Sequence, residues 1–239
     1  MSRLGRHELI TLVLLALITA GIWIFAELAD EVIEGDTKSF DETVLLAMRT
    51  PGDSADPVGP RWLHELGRDF TALGGVGFLT LLTLAVIGFL VLQRRYGAAV
   101  LVAVSIGGGF LVSSLLKYGF ERPRPDLISH ESYVYTTSFP SGHSMLSAVT
   151  YLTLGALLAR IQPQLRLKAY IMLLAILLTL LVGISRVYLG VHWPTDVLAG
   201  WAVGSSWALL CWLIARWMQQ SGRMKTDDEP SDQPPNSSS

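Results

Sequence analysis

Six apolar stretches, each about as long as a membrane is thick, constrain this chain more than any other feature. They lie at Leu9–Ala26, Gly75–Leu92, Gly97–Leu116, His143–Ala159, Ala169–Tyr188 and Thr195–Trp217. A helix of about 18 or more apolar residues can cross a hydrocarbon core of roughly 30 Å with its backbone fully hydrogen-bonded. Only 16% of the 239 residues are charged, whereas ordinary globular domains carry about 25%. We therefore predict an all-α fold, an integral membrane bundle of six transmembrane helices.

The polar parts of the chain set the predicted domain boundaries. The first apolar stretch is long for a signal peptide and is followed by no convincing small-residue cleavage site, so we expect it to be retained as the first span. The membrane domain is predicted to cover residues 1–221, with its polar motifs confined to residues 97–217. Residues 222–239 are rich in Asp, Ser and Pro, which is typical of a disordered tail.

A long polar segment separates the first two spans. Residues 28–73 contain ten Asp or Glu against four Lys or Arg, which is too polar to span a membrane. Trp62, Leu66, Phe70 and Leu73 recur at helical spacing and predict a short amphipathic helix on the membrane surface. The stretch Lys38–Met48 is a second candidate. Two roles stay open for this segment: packing over the helix ends, or lining a lateral entrance for a lipid.

The basic residues of the short loops predict the orientation of the chain. They are Arg3, Arg6, Arg94, Arg95, Arg160, Arg166, Lys168, Arg216, Arg223 and Lys225. All of them fall on one side of a six-span topology, and cytoplasmic loops are enriched in Lys and Arg. We predict a multi-pass protein of the cell (inner) membrane with both termini and the tail in the cytoplasm.

Three polar clusters fall at helix ends on the opposite, outer side. They occupy residues 117–125, 139–143 and 185–196. Ionisable residues at membrane depth are costly and tend to be functional. Because all three clusters lie at the same end of the predicted bundle, we expect them to meet in space.

The cations of these clusters predict a site for an anion. Lys117, Arg124 and Arg186 would repel one another at low effective dielectric unless an anion lay between them. Ser141 and Gly142 precede an apolar run, at a predicted helix start where free N–H groups favour anions. A phosphate fits this arrangement, since guanidinium groups bind its oxygens bidentately. Taken singly, these residues also fit simpler roles, such as a lysine that snorkels to the interface or arginines that bind lipid headgroups.

The two histidines indicate a reaction. A neutral His192 can attack phosphorus through Nε2 if Asp196 accepts its Nδ1–H. His143 can then protonate the leaving oxygen and later deprotonate water. Asp196 also has a simpler possible role, as a cap for the sixth span together with Thr195. No Asp, Glu or His cluster has metal-ligand spacing, so we predict neither a metal nor another cofactor.

Together the clusters resemble the motif of the type 2 phosphatidic acid phosphatase superfamily. Its three parts stand complete and in order, as Lys117-x6-Arg124-Pro125, Pro140-Ser141-Gly142-His143 and Ser185-Arg186-x5-His192-x3-Asp196. The resemblance implies a metal-independent, all-helical phosphatase in which His192 is the nucleophile, Asp196 its partner and His143 the acid and base. By position, the implied phosphate-binding residues are Lys117, Arg124, Ser141, Gly142 and Arg186. Arg122 also precedes a proline and is a candidate to assist Arg124.

The compact layout is similar to the phosphatidylglycerophosphatase B and undecaprenyl pyrophosphate phosphatase group. We therefore expect dephosphorylation of lipid phosphates or pyrophosphates within the bilayer, through a phosphohistidine, at the outer surface. Candidate substrates are undecaprenyl pyrophosphate, phosphatidylglycerophosphate and phosphatidic acid. The alternatives are a lipid phosphotransferase that uses the same intermediate, and a non-catalytic lipid-binding or transport protein. The net charge of −2 does not indicate nucleic-acid binding, and the sequence does not predict an oligomeric state.

Overall fold

The computed structural model describes residues 3–125 and 137–220, so the tail predicted at 222–239 lies outside the described residues. Within these ranges the chain forms eight α-helices and a two-stranded hairpin. The helices are α1 (Arg3–Glu34), α2 (Lys38–Ala47), α3 (Arg61–Leu73), α4 (Val76–Leu92), α5 (Tyr96–Tyr118), α6 (Gly142–Arg160), α7 (Leu165–Tyr188) and α8 (Pro194–Gln220). The strands are β1 (Arg49–Thr50) and β2 (Asp53–Pro57), which pair antiparallel.

The all-α membrane bundle predicted from the sequence is confirmed. Among the described residues, α1, α5, α6, α7 and α8 are each long and apolar enough to cross a membrane. The helix α4 has 17 residues and passes the same test only together with α3, across a bend of 49°, and this bent pair is the sixth candidate span. The first helix is longer than its apolar stretch and continues to Glu34. Its extension contributes Leu28 and Val32 to an apolar cluster that contains Phe139, beside the second polar cluster.

The span α6 forms the centre of the bundle. Of its most apolar 18-residue window 61% is buried, against 6% in α1, although its mean hydropathy is only 1.2. The low hydropathy reflects small polar side chains that face neighbouring helices, since Ser144, Ser147 and Thr150 are fully buried. A Cβ at Gly204 would lie 2.5 Å from the Met145 carbonyl oxygen. The α6 and α8 backbones therefore approach closely, as small residues allow in membrane helices.

The segment between the first two spans is more structured than predicted. It contains the expected amphipathic helices, α2 and α3, and α3 leaves Trp62 61% exposed. The hairpin between them was not predicted. It turns at Gly52, whose φ of +91° suits a residue without a side chain. Its two strands are too short to give an alternating pattern that could be recognised in the sequence.

The segment is anchored on the end of the bundle that carries the polar clusters. The Tyr188 hydroxyl, at the end of α7, donates to the Val58 carbonyl oxygen over 2.8 Å. The Tyr151 hydroxyl of α6 donates to the Leu73 carbonyl oxygen over 2.7 Å. At this end α5 and α7 finish and α6 and α8 begin, so the chain brings all three clusters to one face.

Candidate active site

All eight residues predicted for the site lie around one point at this end of the bundle. Lys117 ends α5, Gly142 and His143 begin α6, Arg186 lies in the last turn of α7 and Asp196 in the first turn of α8. The charges of Lys117, Arg124 and Arg186 interact with one another, and all three interact with His143. The predicted meeting of the clusters is therefore present in the structure.

A buried histidine and a buried aspartate form the most enclosed part of the site. His192 is 1% exposed and Asp196 is fully buried. The distance from His192 Nδ1 to Asp196 Oδ2 is 3.2 Å. The same carboxylate oxygen accepts the Trp193 N–H over 2.9 Å and the hydroxyl of Ser138. Asp196 thus contacts both His192 and the backbone of the residue that directly precedes α8.

The neighbours of His192 determine which ring nitrogen carries the proton. Nδ1 faces the carboxylate of Asp196, which only accepts hydrogen bonds when ionised. Nε2 lies 3.3 Å from Arg124 Nη1, and a guanidinium only donates. The tautomer that satisfies both contacts has its proton on Nδ1 and its lone pair on Nε2, beside the guanidinium of Arg124.

Burial also keeps this imidazole neutral. Burial lowers the pKa of His192 to about 4, although the hydrogen bond and negative charge of Asp196 act in the opposite direction. Arg186 and Arg124 lower this pKa further. Since a nucleophile needs its lone pair, this environment suits attack on a phosphate.

Arg124 lies on the Nε2 side of His192, and the charges of both Arg124 and Arg186 act on this ring. Arg124 Nη1 donates to the Val191 carbonyl oxygen over 2.9 Å, which places its guanidinium beside the imidazole. Arg186 Nη1 donates to the Thr71 hydroxyl over 2.8 Å. Its Nε is buried and has no hydrogen-bond partner in the described part of the chain. A buried donor without an acceptor is costly, and a phosphate oxygen would satisfy it.

The first turn of α6 lies against the ammonium group of Lys117. A Cβ at Gly142 would lie 3.4 Å from Lys117 Nζ. The N–H groups of this turn have no acceptor within the helix. Ser141 is fully buried, and its side chain accepts the Ser144 N–H at 3.5 Å as the N-cap. Its own N–H is already bonded to the Asp196 carbonyl oxygen, at 3.0 Å.

Arg122 contacts two carboxylates, whereas Arg124 contacts Nε2 of His192. Arg122 Nη1 donates to Asp196 Oδ1 over 2.6 Å and its Nη2 to Asp41 Oδ2 over 2.5 Å. The guanidinium is also 5.8 Å from the centre of the Trp193 ring. Arg122 therefore faces the carboxylate of the His192–Asp196 pair, on the side away from Arg124.

Sequence reasoning missed three polar contacts of the site. Ser138 bonds Asp196, Thr71 bonds Arg186, and Asp41 bonds Arg122. Ser138 stands next to a motif but carries no signal of its own. Asp41 had one, because it shares the buried face of α2 with Leu45, four residues later. An acidic residue on the apolar face of an amphipathic helix is unusual unless it is paired.

Metal-ligating side chains are not grouped at the site. In residues 3–125 and 137–220, no group of three or more His, Cys, Asp or Glu is arranged to bind a metal ion. The positive groups around His192 are Lys and Arg side chains.

Comparisons with known proteins agree on a family. A profile of the PAP2 superfamily matches residues 98–220. Phosphatidylglycerophosphatase B of Bacillus subtilis (strain 168) is 38% identical over 146 residues, which are 60% of this chain and 70% of that protein. Undecaprenyl-diphosphatase of Sulfolobus acidocaldarius is 30% identical over 121 residues, or 48% of this chain and 54% of that protein.

A solved structure matches most of the chain. It is the crystal structure of a transmembrane PAP2 type phosphatidylglycerolphosphate phosphatase from Bacillus subtilis. The TM-score is 0.67 at 28% identity, and the match covers 87% of this chain and 96% of that one.

The environment of His192 predicts its ionisation state. At about pH 6 an ordinary histidine is mostly protonated, but His192 should be neutral with its proton on Nδ1, because its pKa is lowered to about 4. Nitrogen NMR of ¹⁵N-histidine-labelled protein in detergent can measure this, with His192→Gln to assign the signal. An imidazolium, or a neutral ring with its proton on Nε2, would contradict the geometry described above.

Proposed function

The chain belongs to the PAP2 superfamily and is a membrane lipid phosphatase, and from that premise we propose that it hydrolyses lipid phosphates or pyrophosphates through a phosphohistidine on His192. The observation that carries the proposal is the orientation of this ring. Nδ1 lies 3.2 Å from a buried carboxylate, while Nε2 lies 3.3 Å from the guanidinium of Arg124. The lone pair is thus on the side of the ring that faces Arg124, and we propose that a bound phosphate takes the place of this contact.

In the first proposed step His192 displaces the lipid. The phosphate binds among Lys117, Arg124 and Arg186, which neutralise charge on its oxygens as the transition state forms. The Nε2 lone pair attacks phosphorus in line, and the bond from phosphorus to the leaving oxygen breaks. His143, which the negative charge of the bound phosphate favours in its protonated form, gives its proton to that oxygen. With a monoester the leaving group is a lipid alcohol, and with a pyrophosphate it is a lipid monophosphate.

In the second step water releases the phosphate. Neutral His143 takes a proton from the water, whose oxygen attacks phosphorus while the bond from phosphorus to Nε2 breaks. Inorganic phosphate leaves, His192 is again neutral, and His143 is again protonated. Asp196 stabilises the positive charge that the His192 ring carries between the steps, as the carboxylate does in a nucleophilic triad.

We propose that the reaction takes place at the outer membrane surface. The site lies at the end of the bundle opposite the α4–α5 and α6–α7 connections. In these connections or in the adjoining helix turns lie Arg94, Arg95, Arg160, Arg166 and Lys168. Short loops rich in Lys and Arg are cytoplasmic as a rule. The names of the two relatives support phosphatidylglycerophosphate and undecaprenyl diphosphate as candidate substrates, and phosphatidic acid presents the same monoester group.

An apolar cavity of about 350 Å³ supports a lipid as the substrate. It lies between α4, α5 and α6, and its lining includes Val76, Ile106, Gly107 and Leu146. Leu146 is one turn along α6 from His143. Gly74, two residues before Val76, packs against His143, because a Cβ there would lie 3.5 Å from the His143 Cβ. We propose that a hydrocarbon tail occupies this cavity while its phosphate lies at His192.

Removal of either histidine should abolish turnover of every lipid substrate. We expect His192→Ala and His143→Ala to lower phosphate release by about 10⁴-fold or more, because each contributes a group that reacts. The matched control is His64→Ala, since His64 lies on α3 and its Nε2 contacts the Pro57 carbonyl oxygen. Purified protein would be assayed with EDTA present, which should not change the rates, on a panel of lipid phosphates and pyrophosphates.

Different results in that assay would favour the alternatives. Full phosphate release by His192→Ala would exclude the proposed nucleophile. Labelled phosphate that appears in a second lipid rather than in solution would indicate a phosphotransferase. Substrate binding without any release by the wild type would indicate a lipid-binding protein.

Filling the cavity should separate lipid substrates from small ones. Nothing lies within 4 Å of a Cβ built at Gly107, so Gly107→Leu can be accommodated and its side chain would occupy the cavity. We expect kcat/KM for lipid phosphates to fall by about tenfold or more, while that for p-nitrophenyl phosphate is retained. Gly88→Leu is the control, because its Cβ also meets nothing and Gly88 does not line the cavity. Equal effects on both substrates would contradict the proposed tail site.

A further inference from the structure

The segment between the first two spans places two buried charges against the catalytic loop. Asp41 of α2 is fully buried and Arg49 of β1 is 4% exposed. Both contact the region from the end of α7 to the start of α8, which lies more than 130 residues away in the sequence. A buried charge is costly unless it is paired and hydrogen-bonded. Arg49 is hydrogen-bonded at the end of α7, and Asp41 is hydrogen-bonded at the start of α8. The proposed nucleophile lies between these two positions.

Asp41 lies at the N-terminus of α8. Its Oδ1 accepts the Thr195 N–H over 2.9 Å, and its Oδ2 accepts the Thr195 hydroxyl over 2.7 Å. This N–H belongs to the first turn of α8 and has no acceptor within the helix, and the helix dipole also favours a negative charge there. Asp41 therefore fixes the residue that directly precedes Asp196.

Arg122 joins Asp41 to Asp196. Its Nη2 donates to Asp41 over 2.5 Å, and its Nη1 donates to Asp196 over 2.6 Å. The Thr195 hydroxyl accepts from the same guanidinium over 2.8 Å, and the Thr37 hydroxyl accepts over 3.1 Å. Asp196 is thus held between Arg122 on Oδ1 and His192 on Oδ2, and the far side of Arg122 is fixed by Asp41.

Arg49 makes the corresponding contact at the other end of the loop. Its two terminal nitrogens donate to the carbonyl oxygens of Tyr188, over 2.9 Å, and Val187, over 3.2 Å. These carbonyls end α7, where a cation is favoured by the helix dipole. They follow Arg186 directly. The outer segment therefore carries an anion for the start of α8 and a cation for the end of α7.

We propose that Asp41 and Arg122 are positioning residues for the His192–Asp196 pair, with Arg49 fixing the end of α7 that carries Arg186. The proposal rests on the proposed function and gives the outer segment a role in catalysis beyond covering the helix ends. Neither Asp41 nor Arg122 faces the phosphate position. Their effect is to hold Asp196 so that Nδ1 of His192 keeps the proton and Nε2 keeps the lone pair.

This arrangement predicts an effect on kcat rather than on KM. In Asp41→Asn the amide is nearly isosteric, but its N–H₂ group would face a donor in either orientation, Arg122 or the Thr195 N–H, and the charge would be lost. We expect kcat to fall roughly 10- to 100-fold, because a small displacement of a reacting group costs that much, while KM changes by less than about threefold. Arg122→Lys keeps the buried positive charge but can reach only one carboxylate, and it should show the same pattern.

Matched controls and a double variant distinguish positioning from loss of folding. Glu42→Gln alters the neighbouring carboxylate on α2, which is exposed and pairs only with Lys38 among the described residues, and it should leave both constants unchanged. Asp41→Asn with Arg122→Lys should lose little more activity than either single variant, because both act on the same carboxylate. Nitrogen NMR should show a gain of the Nε2–H tautomer of His192 in each single variant.

The outcomes separate this proposal from the proposed function. If the wild type releases phosphate and His192→Ala does not, the proposed function stands, whatever Asp41 does. Wild-type kcat in folded Asp41→Asn or Arg122→Lys would overturn the positioning role. An unchanged His192 tautomer, or multiplicative losses in the double variant, would also overturn it. Arg122→Lys decides alone if Asp41→Asn melts at or below the assay temperature.

Discussion

The carboxylate of Asp196 connects the proposed nucleophile to the rest of the molecule. One oxygen lies 3.2 Å from His192 Nδ1, and the other accepts from Arg122 over 2.6 Å. His192 lies on the α7–α8 loop and Arg122 on the α5–α6 loop. Asp41, which accepts from the other nitrogen of Arg122, lies on α2. A fully buried carboxylate is stable only with such partners, so the fold and the chemistry impose the same geometry.

The same site brings together cations that a protein ordinarily keeps apart. Lys117, Arg124 and Arg186 come from three different parts of the chain; Arg124 bonds the carbonyl oxygen of Val191 and Arg186 bonds the hydroxyl of Thr71. A phosphate bound among them would relieve their mutual repulsion. Such a site is expected to stabilise most strongly an anion whose negative charge increases, as the charge on the oxygens of a phosphoryl group does in its transition state.

Much of the fold and of the candidate site could be predicted from the sequence, because the patterns that indicate them are local. Each span is a continuous apolar run, and each cluster adjoins such a run directly, so the six-span bundle and the meeting of the clusters could be predicted. The contacts of Arg122 and Asp41 could not, because they depend on how α2 packs against α8. The six-residue spacing from Lys117 selects Arg124 over Arg122 but does not predict what Arg122 contacts. Only the fold shows that the two guanidiniums face opposite sides of the His192–Asp196 pair.

A phosphoryl group that passes through His192 Nε2 can be trapped on the protein, and trapping it is the decisive measurement. In His143→Ala, p-nitrophenyl phosphate should still phosphorylate the enzyme, because its leaving group needs little protonation, while release by water is slowed. We expect a burst of about one nitrophenolate per enzyme, with acid-labile phosphate on the peptide that contains His192. Phosphate on another residue, or the same burst when His192 is also replaced by glutamine, would contradict a phosphohistidine at this position.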